Sequence, residues 1–482
     1  MTKKFILLTH LAIFCVAHVY GQHIPITTRS ERASAYYEQA DSLENILEND
    51  KAKALYLKAV VEDSSFALAW MRAAMTVDDY ADRKKYLAEA MKYLADVSEG
   101  ERLWIAARNA FYGNGEEDEE FENFQQLQKL YPENARSNYL FGYANRHHGQ
   151  SNDSMAVYYF KRAIKLNPKL AVAYNELCYA HLELKEYEEA KNAIEAYIKL
   201  IPNHPNPYDS YAEIFMRMGK HAQSIAAYQK VLELDPNYAW AYMGLAANYN
   251  YLSEFAKARR HLRICDTLAL SDYQYRHMWK GTVVSYIEED LIDSAVVTLR
   301  RQRQAVVDKI HHREPVFHLF YGYKRAVRLL FEAGNTIDGM NEYEQWLTFC
   351  KDSLKTTTYE RIELLRPYYE AFGAYNQKDN ALAIEILNMH AEAPGELTKE
   401  AKVLKARILL AQGESLEACE ILEALPEMDV YEQSWYAAAL IQVGEKEQGK
   451  KLLLNIIDMK ELNNIDLALA RQHVRRVLQA ND

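Results

Sequence analysis

The chain of 482 residues carries 57 Lys and Arg against 68 Asp and Glu, a formal net charge of −11 at pH 7. This acidity disfavours nucleic acid as a partner, because a negatively charged surface repels phosphate backbones. With 49% hydrophobic and 26% charged residues, the composition is that of a globular chain and excludes extended disorder.

The first residues have the three parts of a secretory leader. Lys3 and Lys4 precede an apolar run over residues 5–17, and small residues suited to cleavage end at Gly21. This pattern predicts a signal peptide over residues 1–21. The apolar run is shorter than the roughly 20 residues that a membrane span requires, so no transmembrane segment is expected after cleavage. Loss of the two lysines changes the formal net charge from −11 to −13.

The predicted leader places the mature chain outside the cytoplasm, either in a periplasm or secreted. A lipoprotein is disfavoured, because Phe14 precedes Cys15 where a small residue is expected. A single N-glycosylation acceptor, beginning at Asn152, favours a bacterial envelope over a eukaryotic secretory route. The four cysteines of the mature chain fall in separate helical segments, so we predict that no disulfide links them.

A repeat of 34 residues follows, and it is clearest over residues 137–272. Pro168, Pro202 and Pro236 are 34 residues apart and end the segments KRAIKLNP, EAYIKLIP and QKVLELDP. Small residues recur at the same period, each with a bulky residue four positions later: Ala156, Ala190, Ser224 and Ala258, then Phe160, Ile194, Tyr228 and Leu262. Residues i and i+4 share a helix face, so the small residue allows two helices to approach and the large one fills the adjacent groove.

This spacing of aromatic residue, small residue and proline resembles the tetratricopeptide repeat, a helix-turn-helix unit. The resemblance implies an all-α fold, a right-handed α-solenoid of about 11–12 such units with a C-terminal capping helix. We predict the following division: linker 22–32, N-terminal array 33–309, C-terminal array of weaker repeats 310–463 and capping helix 464–482. The boundary after residue 309 is placed where the segment KIHHREPVFH interrupts the period.

Departures from the period are also interpretable. Ser64 stands where the first repeat should have proline, and the weaker repeats are expected to turn at Lys378, Gly413 and Gly444. The final segment IDLALARQHVRRVLQ is amphipathic, and we expect it to cover the last apolar face of the stack. Its polar residues are Arg471, Gln472, Arg475 and Arg476.

Motifs that carry chemistry are missing from the sequence. It contains no phosphate-binding loop, nucleophile elbow or zinc-type cysteine spacing. The pairs His147-His148 and His311-His312 are adjacent, and neighbours on a helix point about 100° apart, which does not suit two ligands of one metal. We therefore predict no enzymatic activity, no cofactor and no metal site.

A binding role is favoured, because stacked helix pairs form a long concave surface. The resemblance implies that the second, fifth, ninth and twelfth positions of each first helix face that groove. Amide and aromatic side chains dominate these positions in the middle of the array. The predicted peptide-binding groove contains Asn109, Asn138, Phe141, Asn145, Asn175, Tyr179, Asp209, Glu213, Trp240 and Asn250.

The predicted function is a non-enzymatic scaffold that binds a protein or peptide partner in a bacterial envelope. Some tetratricopeptide domains clamp a C-terminal carboxylate with Lys and Asn, but here Phe141 stands where Lys is expected and Glu176 and Asp209 lie near the site. Three alternatives stay open. They are carbohydrate binding through the many Tyr and Trp, a regulatory or assembly role in an envelope complex, and a solvated face whose Asn residues bind nothing.

Overall fold

The fold was analysed in a computed structural model that describes residues 23–77, 80–149, 151–268, 270, 272–309, 315–391, 398–461 and 464–481. The described residues form helices joined by turns and contain no β-strand. This confirms the predicted all-α fold. The predicted signal peptide, residues 1–21, lies outside the described residues. The chain divides into two compact units, the first ending at Ile214 and the second beginning at Phe215.

The first unit contains helices α1–α10 and most of α11. Consecutive helices pack in pairs as helix-turn-helix units. A π-helical turn, Ala110–Asn114, follows α5. The bounds are Glu31–Glu44 (α1), Asn49–Glu62 (α2), Ala67–Met75 (α3), Tyr80–Lys92 (α4), Glu99–Asn109 (α5), Glu117–Leu130 (α6), Ala135–His147 (α7), Asp153–Leu166 (α8), Ala171–Glu183 (α9), Tyr187–Leu200 (α10) and Pro205–Arg217 (α11).

The second unit continues the helix pairs through the weaker repeats. The boundary predicted after residue 309 lies inside this unit, next to residues 310–314, which are outside the described residues. The bounds are His221–Leu234 (α12), Ala239–Tyr251 (α13), Phe255–Cys265 (α14), Asp272–Glu288 (α15), Ile292–Lys309 (α16), Pro315–Glu332 (α17), Thr336–Ser353 (α18), Thr356–Glu363 (α19), Arg366–Asn376 (α20), Asn380–Ala391 (α21), Lys399–Gln412 (α22), Ser415–Glu423 (α23), Val430–Val443 (α24), Lys446–Asp458 (α25) and Ile465–Asn481 (α26).

The small and large residues of the repeat pack as the sequence predicts. All four small residues are fully buried, and the bulky residues four positions later are at most 2% exposed. The first helix of a repeat also carries a small residue, and it faces the same bulky side chain. A Cβ added at Gly142 would lie 2.8 Å from Phe160 Cε1. The helices of a pair therefore approach closely because one side of the contact has no side chain.

Gly244→Ala is expected to destabilise the second unit by about 1–3 kcal/mol, because the added methyl group would overlap the ring of Tyr228. The measurement is the denaturant midpoint by far-UV circular dichroism. Tyr228→Leu in the same background opens space for the methyl group. The double variant should therefore lose less stability than the sum of the two single variants. Additive losses would contradict this packing.

The common spacing of tyrosine and proline has a hydrogen-bond explanation. The hydroxyls of Tyr174, Tyr208 and Tyr242 each donate to the carbonyl of the proline six residues earlier, at 3.2, 3.0 and 3.0 Å. In the first repeat, Trp70 Nε1 donates to the carbonyl of Ser64, also six residues earlier, at 3.0 Å. Because the acceptor is a backbone carbonyl, the turn between repeats tolerates serine where proline is expected.

The turn within each repeat also follows the period. Lys185, Gly219 and Ser253 are 34 residues apart and adopt left-handed conformations, with φ of 59°, 71° and 59°. Glycine adopts this conformation without a steric penalty, whereas the other two residues carry a Cβ there. The predicted turns of the weaker repeats are confirmed, since Lys378, Gly413 and Gly444 also have positive φ.

The C-terminal helix α26 makes more contacts than its predicted capping role requires. It packs against α24 and α25 and also against α15, far earlier in the chain. Arg471 and Arg475 bind Glu288 at 3.4 and 2.9 Å, and Arg476 binds Asp290 at 3.3 Å. One hydrophobic core joins buried residues from Val283–Leu330 with residues from Tyr431–Val474. The second unit therefore closes on itself through its last helix.

Candidate functional site

Four of the predicted groove residues are buried. Asn138, Phe141, Asn145 and Asn250 are 0%, 5%, 6% and 7% exposed. The Asn138 amide donates to the carbonyls of Pro132 and Asn134 at 2.8 and 2.7 Å. Asn145 donates to the carbonyl of Phe141 at 2.8 Å. The amides of Asn138 and Asn145 satisfy backbone acceptors, whereas the buried Asn250 amide has no hydrogen-bond partner among the described residues. None of the three lies on a surface that a partner could contact.

Phe141 lies in an aromatic cluster, and the two further predicted residues outside α9 and α11, Asn109 and Trp240, are on different helices. Phe141 packs between Phe121 and Tyr159, with ring centres 5.5 and 4.8 Å away. Asn109 is half-buried at the end of α5, before the π-helical turn. Trp240 is half-buried in the second unit and contacts the ring of His277 at 5.1 Å.

The remaining four predicted residues come together in the first unit. Asn175 and Tyr179 lie on α9, and Asp209 and Glu213 lie on α11; we call this group the α9–α11 site. All four are half-buried. The Tyr179 hydroxyl donates to Glu213 Oε2 at 2.9 Å. Asn175 Oδ1 accepts a hydrogen bond from Ser210 Oγ at 2.8 Å. The two carboxyl groups are four residues apart on one helix and therefore share a face.

Asp209 is the most perturbed group of the α9–α11 site. Burial, followed by the nearby negative charge of Glu213, raises the pKa of Asp209 to about 8. Among the described residues, the Asp209 side chain accepts no hydrogen bond and forms no ion pair. At neutral pH this carboxyl group is therefore mostly protonated. A cation placed beside it would favour its ionised form.

An ion pair that the sequence did not reveal borders this site. Arg146 on α7 binds Glu176 on α9 at 2.8 Å, and both side chains are 15% exposed. The Arg146 guanidinium also lies 5.3 Å from the centre of the Tyr179 ring. Burial opposes ionisation of Glu176, but hydrogen bonding to His147 and the charge of Arg146 outweigh it and lower the pKa of Glu176. The sequence did contain a signal for this ion pair: Arg146 is position ten of the repeat that begins at residue 137, and the oppositely charged Glu176 is position six of the next repeat.

A second buried charge cluster lies at the start of the first unit. Arg72 is 1% exposed and binds Asp41 and Glu44 at 2.8 and 2.7 Å. Its guanidinium lies 5.0 Å from the centre of the Trp104 ring. Arg136 on α7 binds the same Asp41 at 3.0 Å. This cluster links α1 to α3 and α7, and we assign it a structural role.

Metal ligands, membrane-spanning helices and thiols are the other features of the described residues that could define a site. Within them, no group of three or more His, Cys, Asp or Glu side chains is arranged to hold a metal ion. None of the helices in the described ranges has the length and hydrophobicity that a membrane crossing requires. The four cysteines of the described chain are buried free thiols: Cys178, Cys265, Cys350 and Cys419.

Sequence profiles place known repeats at the centre of the chain. A profile described as tetratricopeptide repeat matches residues 171–204, and one described as TPR repeat matches residues 212–250. The first matched segment begins with α9. Together with the repeated helix pairs, these matches show that the chain contains tetratricopeptide repeats. Such repeats form protein-interaction scaffolds that are generally not catalytic.

Individual relatives are distant. Anaphase-promoting complex subunit 3 of Schizosaccharomyces pombe is 25% identical over 109 residues, which is 23% of this chain and 16% of that subunit. A tetratricopeptide repeat protein from Parabacteroides merdae is 13% identical, with a TM-score of 0.38 over 55% of this chain and 97% of its own. Yeast Tom70 is 13% identical, with a TM-score of 0.41 over 88% of this chain and 90% of its own.

Proposed function

We propose that this chain is an exported scaffold of a bacterial envelope that binds a peptide segment of a partner protein at the α9–α11 site. The single observation that carries the proposal is the Asp209 carboxyl group, which is half-buried beside Glu213 and has no side-chain partner among the described residues. The repeat class supports a protein partner. The leader-like residues 1–21 support export.

The chemistry of the site favours a basic side chain. A Lys or Arg placed beside Asp209 would supply a positive charge that favours its ionised form. Arg fits this role well, because its planar guanidinium can donate two hydrogen bonds to one carboxylate. Asn175 and Tyr179 flank the carboxyl groups and offer amide and hydroxyl groups to the backbone of the bound segment. The proposed ligand is therefore an extended segment with a basic residue at its centre.

The experiment is a selection from a random peptide library displayed on phage, carried out with the full-length mature chain. We expect the selected peptides to be enriched in Lys or Arg at one position. Asp209→Asn should weaken their binding about tenfold or more, since it removes one charge-assisted contact. The matched control is Asp50→Asn, which changes an exposed aspartate of the same unit. Selected peptides without a basic position, or equal binding by Asp209→Asn, would contradict the proposal.

The raised pKa of Asp209 makes binding depend on pH. Because the free carboxyl group has a pKa of about 8 and a bound cation lowers it, binding releases a proton below pH 8. Affinity for a selected peptide should therefore rise with pH, by at most about tenfold per unit, and level off above about pH 8. Isothermal titration calorimetry from pH 5.5 to 8.5 measures this. Peptide affinity should not depend on pH in Asp209→Asn. A wild-type affinity that stays constant from pH 5.5 to 8.5 would contradict the assignment of Asp209 as the group that releases the proton.

The proposed location has a separate test. Expression of the whole chain in a bacterial host, followed by fractionation and intact-mass measurement, should yield a periplasmic or secreted protein that begins after Gly21. A chain that keeps residues 1–21 and stays in the cytoplasm would refute export, without bearing on peptide binding at the α9–α11 site.

A further inference from the structure

A cavity of about 380 Å³ lies within the second unit. This volume falls in the range of roughly 300–1,000 Å³ that is typical of small-ligand sites. Its walls come from α17, α20, α22, α24 and α26. The C-terminal helix contributes Ile465, Asp466 and Leu469. The helix that closes the unit on itself therefore also forms part of the cavity wall.

Charges on the cavity wall are balanced in number and paired with one another. Arg407 donates to both carboxylate oxygens of Glu332, at 2.9 and 3.0 Å. Three further pairs line the wall: Arg328–Asp466 at 2.5 Å, Lys399–Glu432 at 2.7 Å and Lys324–Glu400 at 3.8 Å. With its charges neutralised in this way, the cavity offers little net attraction to a strongly anionic or cationic ligand.

The cavity also contains tyrosine hydroxyl groups that lack a protein partner. Tyr368 and Tyr369 line it, and neither hydroxyl forms a hydrogen bond within the described part of the chain. Tyr369 is 5% exposed. Its ring is fixed against those of Tyr343 and Phe331, with centres 4.8 and 5.1 Å away. The residue is buried and its hydroxyl lacks a protein partner among the described residues, so a ligand in the cavity would supply one.

We propose that this cavity binds a neutral, hydroxyl-rich ligand of the monosaccharide or disaccharide class. Sugar hydroxyls both donate and accept, which matches the hydroxyls of Tyr368 and Tyr369. Adjacent sugar hydroxyls can also bridge the oxygen and nitrogen atoms of a paired carboxylate and guanidinium, such as Glu332 and Arg407. The apolar faces of a sugar ring pack against tyrosine rings and aliphatic side chains, which the same walls supply. The site is independent of the α9–α11 site, which lies in the other unit.

The test uses the full-length mature chain on an array of neutral and acidic mono- to tetrasaccharides, followed by calorimetry with the strongest neutral ligand. Saturable binding of a neutral saccharide is expected. Tyr369→Phe removes only the hydroxyl and should weaken that binding about tenfold, the effect of one lost hydrogen bond in a buried site. Tyr158→Phe, at an exposed tyrosine of the first unit, is the matched control. Circular dichroism confirms that each variant is folded.

Asp209→Asn separates this proposal from peptide binding, because it should leave saccharide affinity unchanged. Three results would overturn the saccharide site. They are the lack of saturable saccharide binding, a preference for acidic saccharides, and equal affinity in wild type and Tyr369→Phe. Protection of the cavity by a selected peptide instead of a saccharide, seen as NMR shifts of a labelled Tyr369 signal that is assigned with Tyr369→Phe, would also overturn it.

Discussion

Glu288→Ala is expected to lower the free energy of unfolding of the second unit by about 3–5 kcal/mol, the usual cost of removing one partner of a buried ion pair. The Glu288 and Arg471 side chains are both 8% exposed, and Arg475 binds the same carboxylate. Removing that carboxylate leaves the Arg471 charge buried with backbone carbonyls as its remaining acceptors. Helix α26 would then keep its apolar contacts with α15 but lose the ion pairs that Glu288 makes with it.

Differential scanning calorimetry measures this effect, and we expect Tm to fall by about 10 °C for a unit of this size. The matched control is Arg476→Ala at the neighbouring pair with Asp290, where the side chains are 59% and 70% exposed. An exposed pair contributes about 0–1 kcal/mol, so this variant should unfold close to the wild type. If Glu288→Ala and the control Arg476→Ala have the same Tm, the last helix does not close the unit through Glu288.

Arg72→Met is expected to cost the first unit about 3–5 kcal/mol, because it leaves the carboxylates of Asp41 and Glu44 without their shared buried cation. Methionine fills part of the volume, so the loss is mainly electrostatic. Burial would raise the pKa of Asp41, but Arg136 and Arg72 outweigh burial and hold it below its usual value. Without Arg72, the pKa of Asp41 should rise toward or above the usual value.

The sign of the pH dependence follows from that shift. In the wild type, the lowered pKa of Asp41 contributes stability above the unfolded-state pKa, and this contribution is lost as the pH falls through the folded-state value. Arg72→Met lacks most of this contribution. The difference in free energy of unfolding between wild type and variant should therefore be larger at pH 7 than at pH 4. Urea unfolding at both pH values measures this. Arg102→Met, at a side chain that is 53% exposed, should change little, and equal losses in both variants would refute the role of Arg72.

Helix pairing was predictable because it depends on local spacing. The small residue at Ala156 and the bulky residue at Phe160 lie one helical turn apart, and the helices that they define are present. The turns at Lys378, Gly413 and Gly444 were predictable for the same reason, since each depends on a few adjacent residues.

The exposure of the predicted groove residues was only partly predictable. In the repeat that begins at residue 137, positions two, five and nine are Asn138, Phe141 and Asn145, and all three are buried. The periodic pattern gives a helical position but not the size of the neighbouring side chains. Here the aromatic cluster of Phe121 and Tyr159 covers Phe141. At the corresponding positions of α9 and α11, Tyr179, Asp209 and Glu213 are half-buried.

The closure of the second unit was not predictable from the repeat. Arg471 and Glu288 are separated by 183 residues, and the 34-residue period describes only contacts between neighbours. The amphipathic pattern of α26 indicated an apolar face to be covered, without indicating which helices cover it. The cavity depends on this long-range contact, and it was therefore missing from the sequence prediction.

The central claim is that Asp209 is a protonated, half-buried carboxyl group that a basic side chain of a partner ionises. The most direct measurement is a pH titration of the full-length chain labelled with ¹³Cγ-aspartate, with the Asp209 signal assigned from the Asp209→Asn variant. We predict a midpoint near pH 8 in the free protein and a shift toward the ordinary value of about 3.9 with a saturating basic peptide. A midpoint below about 5 in the free protein, or one that the peptide leaves unchanged, would contradict the claim.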